Sequence, residues 1–171
     1  LPPRQIANGL AEAVKMSLTS DPVLFALFET ADAGENIDRI IEASLRIKRQ
    51  VVEQDEKEGG LRKILNFGHT LAHAIESECG MTTLYHGECV ALGMLPMCAP
   101  AVRQRLLPVL ERLGLPTTFS GEKERLIDAM RHDKKLAGGD ITVVYVPAVG
   151  QWELQTLPFD AFADRIREVL P

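Results

Sequence analysis

The chain is organised around the segment Asn66-Phe-Gly-His-Thr-Leu-Ala-His-Ala-Ile-Glu76, which is followed by His86-Gly-Glu88. Of the four histidines in the chain, three lie between positions 69 and 86. A neutral imidazole is a common metal ligand, and it titrates near neutral pH. The cluster therefore predicts a functional site on one helix and the turn that follows it.

His69 and His73 are four residues apart, which places both rings on one face of a helix. Zinc proteases hold their metal with this spacing, but the residue after their first histidine is a glutamate that activates water, and here it is Thr70. A single histidine is more often structural than functional. The pattern leaves open that one or both histidines join donors from elsewhere, such as His86 and a carboxylate, because a catalytic metal needs about three protein ligands.

Glu12 and Lys15 are three residues apart and share a helix face, a pattern that usually marks a solvated ion pair. Glu12 is unusual because it lies in the small, apolar stretch 9–14. Further cations are Lys48, Arg62, Lys134 and Lys135. Each is an ordinary surface residue by itself, but together they offer an acidic protein a way to bind an anion.

Composition indicates a globular domain with a sizeable core, since 46% of the 171 residues are hydrophobic and 25% are charged. The formal net charge of -5 argues against nucleic-acid partners and against binding to a membrane surface. The three cysteines form neither a metal-binding CxxC pair nor a disulfide framework, which favours a reducing cytoplasm. No apolar run is long enough to span a bilayer.

The chain begins with Leu1-Pro-Pro-Arg4 and has no initiator methionine. This start is typical of an interdomain linker that leads directly into a helix. We expect residues 1–171 to form one domain of a longer polypeptide.

Hydrophobic periodicity predicts helices at 6–18, 23–30, 35–55, 61–79, 106–113, 122–132 and 159–170. Residues 87–102 are apolar and read as a buried helix kinked by Pro96 and Pro100, whereas 141–147 and 151–157 predict a β-hairpin. The fold class expected is mainly α, a multi-helix domain with a small β-hairpin. There is no GxGxxG motif and no alternation of strands with helices, so the chain is not by itself a dinucleotide-binding domain.

Four stretches in fixed order, residues 8–15, 66–76, 86–94 and 132–135, resemble the C-terminal domain of 3-dehydroquinate synthases. The resemblance covers essentially the whole chain. It implies the helical, metal- and substrate-binding half of a two-domain enzyme whose N-terminal domain binds NAD. Such an enzyme is a carbon-oxygen lyase that converts the sugar acid phosphate DAHP to 3-dehydroquinate and phosphate, on the shikimate route to chorismate and the aromatic amino acids.

The resemblance also implies roles for particular residues. Glu12, His69 and His86 would be the ligands of zinc, or of another divalent metal such as cobalt, that polarises the substrate hydroxyls. Lys15 would lie beside those hydroxyls, and His73 near the phosphate in the proton path. The residues matched to carboxylate and phosphate binding are Lys48, Arg62, Asn66 and one or both of Lys134 and Lys135, with Glu58 in support.

NAD would be bound mainly by the absent N-terminal domain, so we expect this chain alone to be inactive. Family members suggest a homodimer and a cytoplasmic location. Three alternatives stay open at this point: another sugar phosphate cyclase, a metal-dependent polyol or alcohol dehydrogenase that releases reduced cofactor, and a non-enzymatic helical interaction domain that holds no stoichiometric metal.

Overall fold

The computed structural model describes residues 1–55, 60–80, 83–136 and 139–170, and for residues 133–136 it describes the backbone alone. The helices are α1 (Pro3–Ser20), α2 (Pro22–Thr30), α3 (Ile37–Gln54), α4 (His69–Cys79), α5 (His86–Met94), α6 (Pro100–Arg112), α7 (Lys123–Leu136) and α8 (Phe159–Val169). Strands β1 (Asp140–Tyr145) and β2 (Glu153–Pro158) form one antiparallel pair. The predicted class, mainly α with a small hairpin, is confirmed.

Helix α1 begins at Pro3, where a missing backbone N–H costs nothing because the first turn has no acceptor for it. The helix ends at Ser20, and the next residue caps α2: the Asp21 carboxylate accepts a hydrogen bond from the Leu24 amide at 2.9 Å. Helix α1 packs against α2, α3 and α5. It therefore runs through the middle of the domain.

Helices α1 and α5 approach most closely at Gly87. The Gly87 amide donates to the Asn8 side-chain oxygen at 2.6 Å. A Cβ atom at Gly87 would lie 2.1 Å from the Asn8 backbone oxygen, so only glycine permits this contact. The contact holds the first turn of α5 beside α1.

The prediction of one continuous helix over 61–79 is wrong. Residues Leu61–Asn66 form a 3-10 helix, and α4 starts only at His69. The break occurs because Gly68 has a φ of 75°, in the left-handed region that ends a helical run. Periodicity missed it, since apolar residues continue at helical spacing on both sides.

The kinked helix predicted over 87–102, and the separate helix over 106–113, are also wrong. Helix α5 ends at Met94, a 3-10 turn covers Leu95–Met97, and α6 runs unbroken from Pro100 to Arg112. Cys98 is extended because it bridges to Val146 at the end of the hairpin, with backbone hydrogen bonds of 3.0 Å on either side. Pro100 then starts a new helix.

Strand β1 pairs with β2 in the register Val143 to Gln155. The loop between them is tied to α1, because the Gly150 amide donates to the Leu18 carbonyl at 2.7 Å. The hairpin thus closes one end of the helical core.

Cys89 and Cys98 are buried, and burial raises the pKa of each thiol to about 12. Both are core-filling residues rather than nucleophiles. Two apolar residues of α3, Ile41 and Leu45, are not part of the core, since both are exposed. Among the described residues, no helix has both the length and the apolar character needed to cross a membrane.

Candidate metal centre

Three helices bring the predicted site residues together. Helix α1 supplies Glu12 and Lys15, α4 supplies His69 and His73, and α5 begins with His86. The fold determines where α4 and α5 begin. Gly68 interrupts the helical conformation just before His69, and Gly87 holds α5 against α1.

Glu12, His69 and His86 each present one potential ligand atom, and the three atoms lie within 4.8 Å of one another. The Glu12 Oε1 atom is 3.5 Å from His69 Nε2 and 3.3 Å from His86 Nε2. Ligands about 2.05 Å from a tetrahedral zinc are about 3.4 Å apart. The two spacings from Glu12 Oε1 are therefore close to those of a tetrahedral metal set.

The other ring nitrogen of each histidine is already engaged. His69 Nδ1 lies 3.2 Å from the Phe67 carbonyl oxygen, and His86 Nδ1 lies 2.5 Å from the Glu76 carboxylate. Both partners are acceptors, so we assign the proton of each neutral ring to Nδ1. Each Nε2 therefore directs a lone pair towards Glu12.

Charge within the site is balanced by Lys15, which is buried. Its ammonium group donates to the Leu65 carbonyl at 2.8 Å and pairs with Glu12 Oε2 at 2.6 Å. Burial favours a raised pKa for Glu12, but the charge and hydrogen bond of Lys15, with the two imidazoles, outweigh it and leave that pKa below its usual value. Glu12 is therefore ionised at neutral pH.

Burial lowers the pKa of His69, and the nearby Lys15 charge lowers it further. The pKa of Lys15 is also lowered, chiefly by burial, with a further contribution from the charge of Lys48. A neutral imidazole and an ionised carboxylate are the protonation states in which these residues bind metal.

A divalent cation fits this arrangement. Glu12 Oε1 is buried and accepts no hydrogen bond, although an unpartnered buried carboxylate oxygen is costly. With the proton of each ring assigned to Nδ1, the Nε2 atoms of His69 and His86 face this oxygen as electron-pair donors. A positive ion between the three atoms would satisfy all of them, and the half-exposed His86 leaves one side of the site open.

His73 lies beside this set rather than in it. Its ring meets the His69 ring edge-on, with centroids 5.5 Å apart. Arg62 and Asn66 line an adjacent cleft of about 350 Å³ together with Lys63 and Leu65. Since Leu65 is also the residue that Lys15 contacts, the cleft and the metal centre are neighbours.

Lys48 is exposed on α3 and close enough to Lys15 to lower its pKa. Lys134 and Lys135 belong to α7, but their side chains lie outside the described residues, as does Glu58. The structure therefore brings five predicted residues into one cluster and places three more beside it.

Two contacts of the site were missed by sequence reasoning. Glu76 bonds His86, and Glu88 binds Arg4 through hydrogen bonds of 2.6 and 2.7 Å that join α5 to the start of α1. Glu76 could have been found from its spacing, because it lies seven residues after His69 on the same helix face. Arg4 and Glu88 are far apart in sequence, and no local pattern links them.

Comparisons with known proteins point to one family. Residues 9–136 match the model of the family described as 3-dehydroquinate synthase C-terminal. A 3-dehydroquinate synthase of Enterococcus faecalis is 40% identical over 96% of this chain and 51% of its own length. Relatives of the same name from Streptococcus thermophilus and Campylobacter concisus are 36% and 38% identical over 91% and 88% of this chain.

Solved structures share the fold. A 2-epi-5-epi-valiolone synthase from Streptomyces hygroscopicus, with NAD+ and Zn2+ bound, matches 98% of this chain and 52% of its own with a TM-score of 0.80 at 21% identity. A 2-deoxy-scyllo-inosose synthase complexed with carbaglucose-6-phosphate, NAD+ and Co2+ has a TM-score of 0.76 at 22% identity, over 99% of this chain and 52% of its own. The chain spans about half the length of the relatives it matches.

Proposed function

This chain belongs to the 3-dehydroquinate synthase family, and we propose that it is the metal- and substrate-binding half of an enzyme that converts DAHP to 3-dehydroquinate and phosphate. The reaction would make the enzyme a carbon-oxygen lyase of the shikimate pathway. Its cytoplasmic location is part of the same proposal, and the three free thiols agree with it.

The observation that supports this function best is the unpartnered Glu12 Oε1 atom facing two imidazole nitrogens. We assign Glu12, His69 and His86 as the ligands of a divalent metal, zinc or cobalt. When bound, the metal would act as a Lewis acid towards the substrate hydroxyls. Three protein ligands and an open side are what a catalytic site requires, whereas a structural zinc is usually closed by four.

We propose that Lys15 acts on the same hydroxyls. It is buried, it lies against Glu12, and hydrogen bonds to Glu12 and Leu65 use two of its three N–H donors. We propose that the remaining donor meets the substrate beside the metal. His73, at the exposed edge of His69, would hold or transfer a proton near the phosphate.

The anionic groups of the substrate would bind in the adjoining cleft. Arg62 and Asn66 line that cleft, and Lys48 adds charge near Lys15. An arginine suits a planar carboxylate, and a lysine suits a phosphate as a point charge. We retain Lys134 and Lys135 as further phosphate ligands on the strength of their motif.

The strands of the described residues form only a two-stranded hairpin, and the sequence has no glycine-rich dinucleotide motif. We propose that NAD is held by the half of the polypeptide that the relatives have beyond this chain. That N-terminal half is the main partner expected, and a homodimer is expected for the whole enzyme.

The test is phosphate release from DAHP by the full-length polypeptide with NAD, scored together with 3-dehydroquinate. We expect both products in equal amounts, their loss on chelation, and their return with zinc. Net formation of NADH would instead indicate a polyol dehydrogenase. Turnover of sedoheptulose 7-phosphate, without turnover of DAHP, would indicate another sugar phosphate cyclase.

A further inference from the structure

The metal centre includes a carboxylate to which no role has been given. Glu76 Oε1 lies 2.5 Å from His86 Nδ1, and His86 is the only partner of Glu76 among the described side chains. Glu76 is on α4, whereas His86 opens α5, so this contact joins the two helices at the site.

His86 needs such a partner more than His69 does. The His69 side chain is 14% exposed, and its Nδ1 bonds a backbone carbonyl that cannot turn away. The His86 side chain is 44% exposed, so packing alone does not fix its ring. A hydrogen bond from Nδ1 to a fixed acceptor both stops the ring from rotating and keeps the proton off Nε2.

We propose that Glu76 is a positioning residue: it holds His86 in the tautomer and orientation that bind the metal. Its charge also makes the imidazole a stronger electron-pair donor to the metal. This inference rests on the proposed metal site. Glu76 would not touch the ion, but with Glu12 it would place two carboxylates against the combined charge of the ion and Lys15. Partners of this kind typically contribute 10-fold to 100-fold to metal affinity.

The experiment measures zinc affinity of the full-length protein by competition with a chelating dye, for the wild type, Glu76→Ala and Glu76→Gln. We expect Glu76→Ala to bind about 10-fold to 100-fold more weakly. Glu76→Gln should lose less, because its amide oxygen still accepts from Nδ1–H. The matched control is Glu78→Ala, which removes a carboxylate of α4 that pairs with Arg125 at 2.7 Å, and its zinc affinity should not change.

A second readout needs no metal. Nitrogen NMR of the metal-free protein should show His86 with its proton on Nδ1 in the wild type and a mixture of tautomers in Glu76→Ala. Equal zinc affinity and an unchanged tautomer in Glu76→Ala would overturn the positioning role. A wild type that binds no zinc would overturn the proposed metal site itself, so the two failures are distinguishable.

A different observation supports a second inference. An apolar groove of about 470 Å³ lies between α1 and α3. Its walls include Leu1, Ile6, Met16, Ile37, Ile41 and Leu45. Ile41 is 51% exposed and Leu45 is 62% exposed, whereas their neighbours Ile40 and Ile47 are buried in the core. Helix α3 thus has two apolar stripes, of which only the inner one is covered.

We infer that this α1–α3 groove docks the N-terminal half of the polypeptide, an inference that rests on the proposed function. The relatives contain about as many further residues as this chain does, and Leu1 itself lines the groove. Glu12 also lines it, so a partner seated there would reach the metal centre. Large exposed apolar patches commonly mark interaction sites.

The test compares the full-length wild type with the double variant Ile41→Asp and Leu45→Asp. We expect at least 10-fold lower turnover, faster proteolysis between the two halves, and unchanged zinc content. Val23→Asp is the matched control, because Val23 is 76% exposed on α2 and lies outside the groove.

Two results would overturn the docking inference. One is a double variant with normal turnover and normal proteolysis. The other is a change in oligomeric mass with turnover retained, which would show that a second copy occupies the groove. If the wild type itself has no turnover, the proposed function fails, and the rate of proteolysis still tests the docking surface.

Discussion

At the residue scale, the proposed metal site depends on one oxygen atom. Glu12 Oε1 is buried and without a donor, and the nitrogen atoms of His69 and His86 face it at 3.5 and 3.3 Å. A structural carboxylate in a core would be expected to have a hydrogen-bond donor for each buried oxygen. This atom is therefore better explained as a ligand than as part of the packing.

Substitution of the two histidines of α4 should have different effects on the zinc content of the protein. We expect His69→Ala to lose stoichiometric zinc, because its Nε2 faces Glu12, and His73→Ala to retain it, because His73 only meets the edge of the His69 ring. Atomic absorption on the purified full-length variants measures this. Loss of zinc in His73→Ala alone would contradict the assignment.

Lys15 should be required for turnover but not for zinc content. Replacing it with methionine keeps most of its volume and removes the charge beside Glu12. We expect turnover to fall by at least about 100-fold, the usual scale for a lost acid-base or positioning group, while zinc stays at one equivalent. Lys123→Met, on α7 and bonded to the end of α8, serves as the control and should retain turnover. Normal turnover in Lys15→Met would remove Lys15 from the mechanism.

Sequence reasoning reached most of this site but not its organisation. The spacing of His69 and His73 indicated one helix face, yet of these two rings it is His69 that lies against Glu12, and His73 meets the edge of the His69 ring. The set of Glu12 with His86 came from family resemblance, since no local pattern joins residues on two helices. Glu76 lies seven residues after His69 on the same face of α4, and this spacing was overlooked.

At the element scale, the site depends on how closely α1 and α5 pack. Gly87 lets the two backbones touch at Asn8, and Arg4 with Glu88 fastens the same pair of helices. Ligands from α1 and α5 are therefore held by contacts outside the metal set.

Gly87→Ala should weaken both the fold and the metal site. Its Cβ would lie 2.1 Å from the Asn8 oxygen, so α5 must move away from α1. We expect a loss of about 1–3 kcal/mol in the free energy of unfolding, together with weaker zinc binding. Gly9→Ala is the matched control: a Cβ there meets nothing within 4 Å, and the helix should gain about 0.5–1 kcal/mol. Chemical denaturation of both variants measures the difference, and equal stabilities would contradict the close packing.

Helices α2 and α6 are joined by an ion pair whose contribution should depend on pH. Glu29 accepts two hydrogen bonds from Arg105, at 2.5 and 3.0 Å, and this pairing lowers the pKa of Glu29. A carboxylate whose pKa is lowered in the folded state stabilises the fold at pH values above its ordinary pKa. This stabilisation is lost as the pH falls through the folded-state pKa.

We therefore expect Glu29→Gln to lower the free energy of unfolding by about 0.5–1 kcal/mol near neutral pH. The substitution should have no effect once the pH falls below the lowered pKa of Glu29. Urea unfolding at several pH values measures this. The control is Glu111→Gln, an exposed residue of α6 for which the described part of the chain shows no ion pair, and it should have no such profile. A difference between wild type and Glu29→Gln that persists at low pH would contradict the pairing.

Element types were predictable here, and element boundaries were not. Periodicity found the helices and the β-branched run 141–147 found the hairpin, because both signals are local. The break at Gly68 comes from one left-handed residue within a continuous apolar pattern, and the break at Cys98 depends on a bridge to Val146. Periodicity places Ile41 and Leu45 among the apolar residues of the helix predicted over 35–55, but it does not show which of these residues the core covers.

At the scale of the whole molecule, we assign the metal and the substrate cleft to this chain, and NAD to the half of the polypeptide that the relatives have beyond it. The chain spans about half of its relatives, and the α1–α3 groove reaches Glu12. Both observations agree with a catalytic centre completed between two halves.

We expect residues 1–171 alone to give no product from DAHP, NAD and zinc, since no residue of this half is proposed to hold NAD. Addition of the full-length protein to the same mixture should restore product formation, which serves as the positive control. Turnover by the isolated chain would show that the N-terminal half is not needed.

The measurement that tests the central claim most directly is anomalous diffraction at the zinc absorption edge, from crystals of the full-length protein grown with zinc. The account predicts one strong peak about 2.0–2.2 Å from Glu12 Oε1, His69 Nε2 and His86 Nε2. A zinc peak surrounded by other residues, with no peak between these three atoms, would contradict the assignment.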